Sequence, residues 1–366
     1  MYELEVKIPE VPAGSYRIHI GRDILGGIRA RLDEDFVKLK QFVVTDRAVA
    51  AAGHLDKLLG GTAAPTYIID PPGECSKHIN TVVAIVEAME KAFLGRDTLI
   101  VALGGGTVGD IAGFSAAIFK RGVRVVQIPT TTVAQADSSV GGKTGVDSTI
   151  SKNAYGAFWQ PAAVYIDVET VKTLDDRQYR AGLVESVKHA LIADAEYFDY
   201  LEANMPAILA RDSGVLEHIA RKNCEIKAEV VEEDPTEKNR RRILNFGHTI
   251  GHAVESASGF ELLHGEAVAV GIIAAEHIAQ KLDLGTPERL RRIERLLSGL
   301  SAPLKIDRYL QKAALIDIIK RDKKAVNQWP RFVLLEAIGR VLCRDGQWAH
   351  EVDPRIVDEI LDRLYA

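Results

Sequence analysis

Thr98-Leu-Ile-Val-Ala-Leu-Gly-Gly-Gly-Thr-Val-Gly-Asp110 runs an almost wholly apolar segment straight into glycines. A short apolar run bounded in this way reads as a strand buried on both faces of a sheet. Gly104, Gly106 and Gly109 satisfy G-x-G-x-x-G and open a helical stretch, so backbone amides can approach a pyrophosphate at a helix N-terminus. Glycine-rich strand–helix turns also arise from packing alone, and one test of the dinucleotide reading fails. The usual fingerprint expects an acidic residue ending a strand about 20 residues later, whereas the next strand ends Gln127-Ile-Pro129. If NAD binds, Asp46 at the end of an earlier strand is the candidate for its ribose.

Working outward, Tyr16–Ile20, Phe42–Thr45, Thr66–Ile69, Val125–Ile128 and Val164–Asp167 read as further strands. Val82, Ile85, Val86, Met89 and Phe93 keep helical spacing between the third and fourth of them. Strands alternating with helices predict an open, largely parallel sheet covered on both faces, an α/β Rossmann-like dinucleotide-binding domain. Beyond about Lys172 helical patterns dominate, over Arg180–Ile192, Ala207–Val231, Ala253–Gln280, Pro287–Leu297 and Asp353–Leu364, with a hairpin near Phe332–Leu335. Thr173-Leu-Asp-Asp176 reads as a connector ending in a helix cap. The predicted division is 1–175, α/β and NAD-binding, and 176–366, mainly α-helical with the metal and substrate sites.

The 366 residues carry a net charge of −5, which provides no basic field for nucleic acid or an anionic membrane. Cys75, Cys224 and Cys343 are scattered without C-x-x-C spacing, so neither a disulfide framework nor a cysteine-rich zinc site is expected. The opening Met1–Lys7 lacks the pattern of a signal peptide, and the longest apolar stretch, Ala267–Ala275, is too short to span a bilayer and reads as a buried helix. A cytoplasmic protein is the expectation.

Asn239-Arg-Arg-Arg-Ile-Leu-Asn-Phe-Gly-His-Thr-Ile-Gly-His252 and Leu263-His-Gly-Glu266 hold three of the ten histidines. His248 and His252 are four apart and share a helix face, and His264 follows a break at Ser258-Gly259 that could fold it back onto them. With a carboxylate from elsewhere such imidazoles suit a catalytic zinc or similar divalent ion. An HxxxH pair is often only a hydrogen-bonded pair, but Arg241 and Asn245 on the same approach make this face a site. Glu185, beside Lys188 and His189 on an apolar helix, is a candidate further ligand. Asp137-Ser-Ser-Val-Gly-Gly-Lys-Thr-Gly145 lacks the upstream glycine of a nucleotide P-loop, yet its glycines, Lys143 and hydroxyls make a small-anion cradle, to which Ser151-Lys-Asn153 can add.

Taken together these segments, with Pro72-Gly-Glu-x-x-Lys77, Lys120-Arg-Gly122, Pro129-Thr-Thr131 and Gly156–Pro161, resemble the 3-dehydroquinate synthase family of the sugar phosphate cyclase superfamily over nearly the whole chain. The resemblance implies Zn2+ or Co2+ on Glu185, His248 and His264, with His252 handling protons at the substrate instead of binding metal. It implies NAD at Asp46, Glu74, Lys77, Gly105, Gly106, Thr107, Gly109, Asp110, Thr130, Thr131, Lys152, Thr170 and Thr173. Substrate contacts fall to Asp137, Lys143, Asn153, Lys188, Lys227, Arg241, Asn245 and His252, with Lys324 on phosphate. Arg121 would reach in from a partner subunit, making a homodimer the expected assembly.

The implied reaction belongs to the shikimate pathway and acts on 3-deoxy-D-arabino-heptulosonate 7-phosphate. Transient oxidation, phosphate elimination, re-reduction and an intramolecular aldol step close the ring. A cyclase of an aminated or neutral analogue and a metal-dependent polyol dehydrogenase are the competing expectations. Two departures from the family pattern stand out: Thr132–Ala136 replaces a more hydrophobic run, and Val326–Pro330 lacks a glycine.

Overall fold

The computed structural model describes residues 14–259, 261–320 and 329–365; Lys324 and Met1–Lys7 lie outside the described residues. A parallel sheet is built from β1 (Arg17–Gly21), β2 (Lys40–Asp46), β3 (Thr66–Ile69), β4 (Thr98–Gly104), β5 (Arg124–Pro129) and β8 (Ala163–Asp167), in the order β1-β8-β5-β4-β2-β3. Strand β4, which feeds the glycine turn, is central, with Val101 flanked by Val43 of β2 and Val126 of β5. Its side chains alternate between two cores, as a period of two dictates. Leu99, Val101 and Leu103 pack with α1 (Leu25–Asp35), α2 (Arg47–Ala51) and α3 (His54–Leu59). Ile100 and Ala102 pack on the other face with α4 (Ile79–Lys91) and α5 (Gly106–Ile118). A two-stranded antiparallel ribbon, β6 (Lys143–Val146) and β7 (Tyr155–Phe158), carries the anion-cradle sequence.

Helices follow: α6 (Asp176–Ala193), α7 (Ala195–Ala203), α8 (Met205–Leu209), α9 (Ser213–Glu233), α10 (His248–Ala257), α11 (His264–Lys281), α12 (Pro287–Gly299), α13 (Lys312–Lys320) and α14 (Pro354–Leu364). Asp175 caps α6 by accepting from the Gln178 N–H, as the connector sequence predicts. Val164 and Ile166 of β8 share one core with these helices, and Ile18 and Ile20 of the edge strand β1 pack against it, so this side of the sheet and the helical region are packed together. Ala267–Ala275 is buried throughout, which makes α11 the central helix of that region.

Several expected boundaries move. The single helix expected over Ala207–Val231 is two, because Arg211 adopts φ +57° and Asp212 caps α9 through the Gly214 and Val215 N–H groups. The one expected over Ala253–Gln280 also breaks, with Gly259 at φ +62° before α11 starts at His264. Phe93 keeps helical spacing but lies beyond the end of α4 at φ +54°, and is 91% exposed. The hairpin sits slightly later than expected, as β9 (Leu335–Ala337) against β10 (Arg340–Val341).

Candidate functional site

Three helices meet because glycines let their backbones touch. A Cβ on Gly265 of α11 would fall 1.8 Å from the Ala181 carbonyl oxygen of α6. One on Gly271 would fall 1.8 Å from the Gly247 oxygen, at the start of α10. Gly251 is close but less constrained, since a Cβ there would stand 3.1 Å from the Ala267 oxygen. Gly247 itself, at φ +77°, turns the chain from the 3-10 segment Arg240–Asn245 into α10.

This close approach brings one ligand atom each of Glu185, His248 and His264 within 4.8 Å of one another. Glu185 Oε1 is 3.3 Å from His264 Nε2 and 3.8 Å from His248 Nε2. The Glu185 carboxylate is fully buried, yet neither oxygen receives a well-aligned hydrogen bond; Lys188 lies against Oε2 as an ion pair. The His248 Nδ1–H donates to the Phe246 carbonyl at 3.0 Å, so its Nε2 presents a lone pair to the cluster. Two imidazoles and a buried carboxylate with unspent lone pairs fit a divalent cation.

Burial opposes a charge on Glu185, but Lys188, His264 and His248 draw its pKa well below the ordinary carboxylate value. Burial opposes a charge on His264 too, while Glu185 and Glu255 raise its pKa to about 10. Burial and Lys188 push His248 down to about 3. The His252 ring stands nearly perpendicular to that of His248 at 5.0 Å, and 5.8 Å from that of His264. His252, Glu255 and His264 form a second group of converging ligand atoms, which shares His264 with the first.

At the sheet, Gly105 caps the 13-residue α5 with no side chain in the way. A Cβ at Gly104 would meet Val108 at 2.6 Å and one at Gly105 would meet Thr131 at 2.9 Å. The turn therefore offers bare amides at a helix N-terminus, on the carboxyl edge of a parallel sheet. Around it stand most of the residues expected to hold a dinucleotide. Asp46 ends β2 and caps α2 through the Val49 N–H, and burial raises its pKa. The Thr130 N–H donates to the Gly104 oxygen, and Thr131 Oγ1 accepts from the Ala134 N–H. Thr170 and Thr173 bound a 3-10 turn; Thr170 Oγ1 accepts from Gln135 and Thr173 Oγ1 bonds His54 Nε2 at 2.8 Å.

Charges of alternating sign then run from this turn to the histidines. Asp110 pairs with Lys77 at 2.7 Å, and Lys77 lies 3.9 Å from Glu74. Glu74 accepts from Thr107 Oγ1 and pairs with Lys152, both at 3.0 Å. Lys152 reaches Glu255 at 3.0 Å, and the other oxygen of Glu255 is 3.5 Å from His264 Nδ1.

Of the expected substrate contacts, Lys227 pairs with Asp137 at 2.8 Å, with His189 Nε2 3.6 Å from the same Asp137 oxygen. Lys143 pairs with Glu237 at 2.5 Å, and Asn245 donates to the other Glu237 oxygen at 2.6 Å. Arg241 is buried, donating to the Pro235 and Gly141 carbonyls while its Nε has no hydrogen-bond partner. Asn153 at φ +50° and Arg121 at φ +70° are exposed.

Glu255 and Glu237 are absent from the expected set. Glu255 had a legible signal, three residues after His252 and seven after His248 on one helix face. Glu237 had none, since it lies in a loop and meets Lys143 only through the fold.

The fold, a glycine-turned parallel sheet followed by helices, is shared with solved sugar phosphate cyclases. A 2-deoxy-scyllo-inosose synthase structure complexed with carbaglucose-6-phosphate, NAD+ and Co2+ superposes with a TM-score of 0.84, at 28% identity over 94% of this chain and 96% of that one. The 2-epi-5-epi-valiolone synthase ValA from Streptomyces hygroscopicus subsp. jinggangensis 5008, with NAD+ and Zn2+ bound, gives 0.85 at 28% identity over 98% and 99%.

A nearer relative in sequence is the 3-dehydroquinate synthase of Ruminiclostridium cellulolyticum, 48% identical over 270 residues, 74% of this chain and 75% of that protein. The 3-dehydroquinate synthase N-terminal family matches residues 67–181, and the C-terminal family residues 182–325. The chain belongs to the 3-dehydroquinate synthase family.

Proposed function

We propose that the chain converts 3-deoxy-D-arabino-heptulosonate 7-phosphate to 3-dehydroquinate and phosphate, a carbon–oxygen lyase step toward the aromatic amino acids. The observation that carries this reading is the convergence of Glu185, His248 and His264 within 4.8 Å, linked through Glu255 and Lys152 to the glycine turn. Residues 1–175 would form the dinucleotide unit and 176–366 the metal- and substrate-binding unit of a cytoplasmic homodimer, with exposed Arg121 meeting the partner. Among the described residues no helix is long and apolar enough to cross a membrane.

Glu185, His248 and His264 would hold Zn2+ or Co2+, which when bound acidifies substrate hydroxyls. Asp46, Glu74, Lys77, the Gly105–Asp110 turn, Thr130, Thr131, Lys152, Thr170 and Thr173 would hold NAD, which supplies a reversible hydride acceptor. The other groups orient and neutralise. Arg241, its guanidinium fixed by two backbone carbonyls and its Nε still unpartnered, suits a substrate carboxylate together with Lys227. Lys143, Asn153 and Lys324 suit the phosphate. Asn245 and Lys143 share Glu237, which fixes both in direction before substrate arrives. Asp137 holds Lys227 in the same way, and Lys188 lies between the metal cluster and Asp137 as a fixed positive charge. His252 would hold or release a proton on its ring nitrogen beside the centre.

The test follows phosphate and NADH together, with metal-loaded protein and NAD well below substrate concentration. Phosphate release far exceeding the NAD present, with no steady rise in NADH, is the expected result. NADH rising in step with turnover would make the chain a dehydrogenase. Absence of phosphate release would transfer the substrate to a sibling cyclase.

A further inference from the structure

We infer that Glu255 is a positioning residue that couples metal binding to dinucleotide binding, so that each ligand tightens the other. This rests on the reading of the two sites given above. Glu255 is 4% exposed and sends its two oxygens in different directions. Oε1 pairs with Lys152 Nζ at 3.0 Å and Oε2 lies 3.5 Å from His264 Nδ1. Neither partner belongs to its own helix: Lys152 is on the exposed loop between β6 and β7, and His264 opens α11.

The His264 ring is thus held between two carboxylates, Glu255 at Nδ1 and Glu185 3.3 Å from Nε2. It cannot turn to favour one without loosening the other. A carboxylate on the far nitrogen of a metal-binding imidazole fixes its orientation and strengthens it as a ligand. The Lys152 ammonium is held likewise between Glu255 and Glu74, each at 3.0 Å. Glu74 in turn accepts from Thr107 in the first turn of α5.

Fixing His264 at a metal therefore orients Glu255, which anchors Lys152, which holds Glu74 against the glycine turn. Holding Lys152, a half-buried lysine on an otherwise exposed loop, between two carboxylates is an entropic cost that whichever ligand binds first bears for both. The sign of the coupling is positive, and linkage makes it equal in both directions.

The experiment measures the dissociation constant of NAD by calorimetry for metal-free and Zn2+-saturated protein, and the Zn2+ affinity by competition with a chelating dye. In the wild type, Zn2+ should tighten NAD by about fivefold or more, the lower end of ordinary site–site coupling. Glu255→Gln keeps the shape but loses the charge. It should bring the ratio to near one and weaken Zn2+ by about 10–100-fold. Lys152→Gln breaks the relay on the other side of Glu255. It should abolish the ratio while leaving Zn2+ affinity within a few-fold, and it serves if Glu255→Gln does not fold.

A role confined to stability would lower the melting temperature of either variant and leave the ratio intact, which overturns the inference. A wild-type ratio near one overturns it as well. Wild-type protein that binds no NAD in either state overturns the reading of the dinucleotide site and this inference with it, whereas NAD binding without coupling overturns the inference alone.

Discussion

Gly271→Ala is the substitution that most directly tests how the three proposed metal ligands, Glu185, His248 and His264, are brought together. The added methyl carbon would stand 1.8 Å from the Gly247 oxygen and 2.8 Å from the Gly251 nitrogen, where real contacts do not close below 3.0 Å. All those atoms are backbone at the start of α10, so no side chain can swing aside. Helix α10 must retreat from α11 by more than about 1 Å, and His248, the next residue after Gly247, retreats with it, whereas metal–ligand distances tolerate only about ±0.2 Å.

The expected result is a loss of about 1–3 kcal/mol from overpacking, seen as a fall of several degrees in melting temperature at roughly 2–4 °C per kcal/mol. Zn2+ affinity should fall on the order of 10–100-fold, the cost of a misdirected ligand shell. Metal content after dialysis, competition with a chelating dye, and thermal unfolding are the readouts. Gly27→Ala on α1 is the control, since a Cβ there meets nothing within 4 Å. It should leave Zn2+ binding unchanged and be neutral or slightly stabilising. A Gly271→Ala protein with wild-type melting temperature and metal affinity would refute the idea that glycine contacts set the ligand geometry.

Glu185→Ala should lower bound metal well below one ion per chain and abolish phosphate release; full occupancy would remove Glu185 from the ligand set. Arg241→Lys loses the fork that spans the Pro235 and Gly141 carbonyls. KM should rise by about 10-fold or more, in line with the ~1.5–3 kcal/mol of a charged hydrogen bond, and an unchanged KM would move the substrate carboxylate elsewhere. Glu276, fully buried, pairs with Arg289 at 2.7 Å far from any proposed ligand. Glu276→Ala strands a buried guanidinium and should cost about 3–5 kcal/mol, read by denaturant unfolding with metal binding intact; a loss below about 1 kcal/mol would show that the cation finds water instead.

The sheet was legible where the sequence is locally unambiguous. Thr98–Leu103 and Phe42–Thr45 are short apolar runs closed by glycine or aspartate, and only a strand suits them. The helix boundaries after Ala207 and Ala253 were not legible from periodicity, since apolar residues recur at helical spacing across both breaks. What ends those helices is backbone geometry, Arg211 and Gly259 at positive φ. Asp212-Ser-Gly did offer a capping signal at the first break. Phe93 misled for a related reason: its spacing continues α4, but the chain has already turned left-handed there.

The site divides along the same line. His248, His252 and Glu255 share one face of one helix, so a spacing of three and four residues suffices to group them. Nothing local to α10 says whether His252 or Glu185 completes a set with His248. What brings Glu185 beside His248 and His264 is two backbone contacts, Gly265 on Ala181 and Gly271 on Gly247, which fix how deeply α11 sinks between α6 and α10. Glycines in helix interiors cost about 0.5–1 kcal/mol each against alanine. Their presence in α10 and α11 is therefore itself a signal that close approach outweighs helix stability at those positions. Read with the histidines, Gly247, Gly251, Gly265 and Gly271 identify the faces that must meet. They do not identify the partner helix: Glu185, sixty-three residues upstream of His248 in the sequence, stands out as a candidate ligand only by its place beside Lys188 and His189 on an apolar helix, and it is the family resemblance that sets it with His248 and His264 in place of His252.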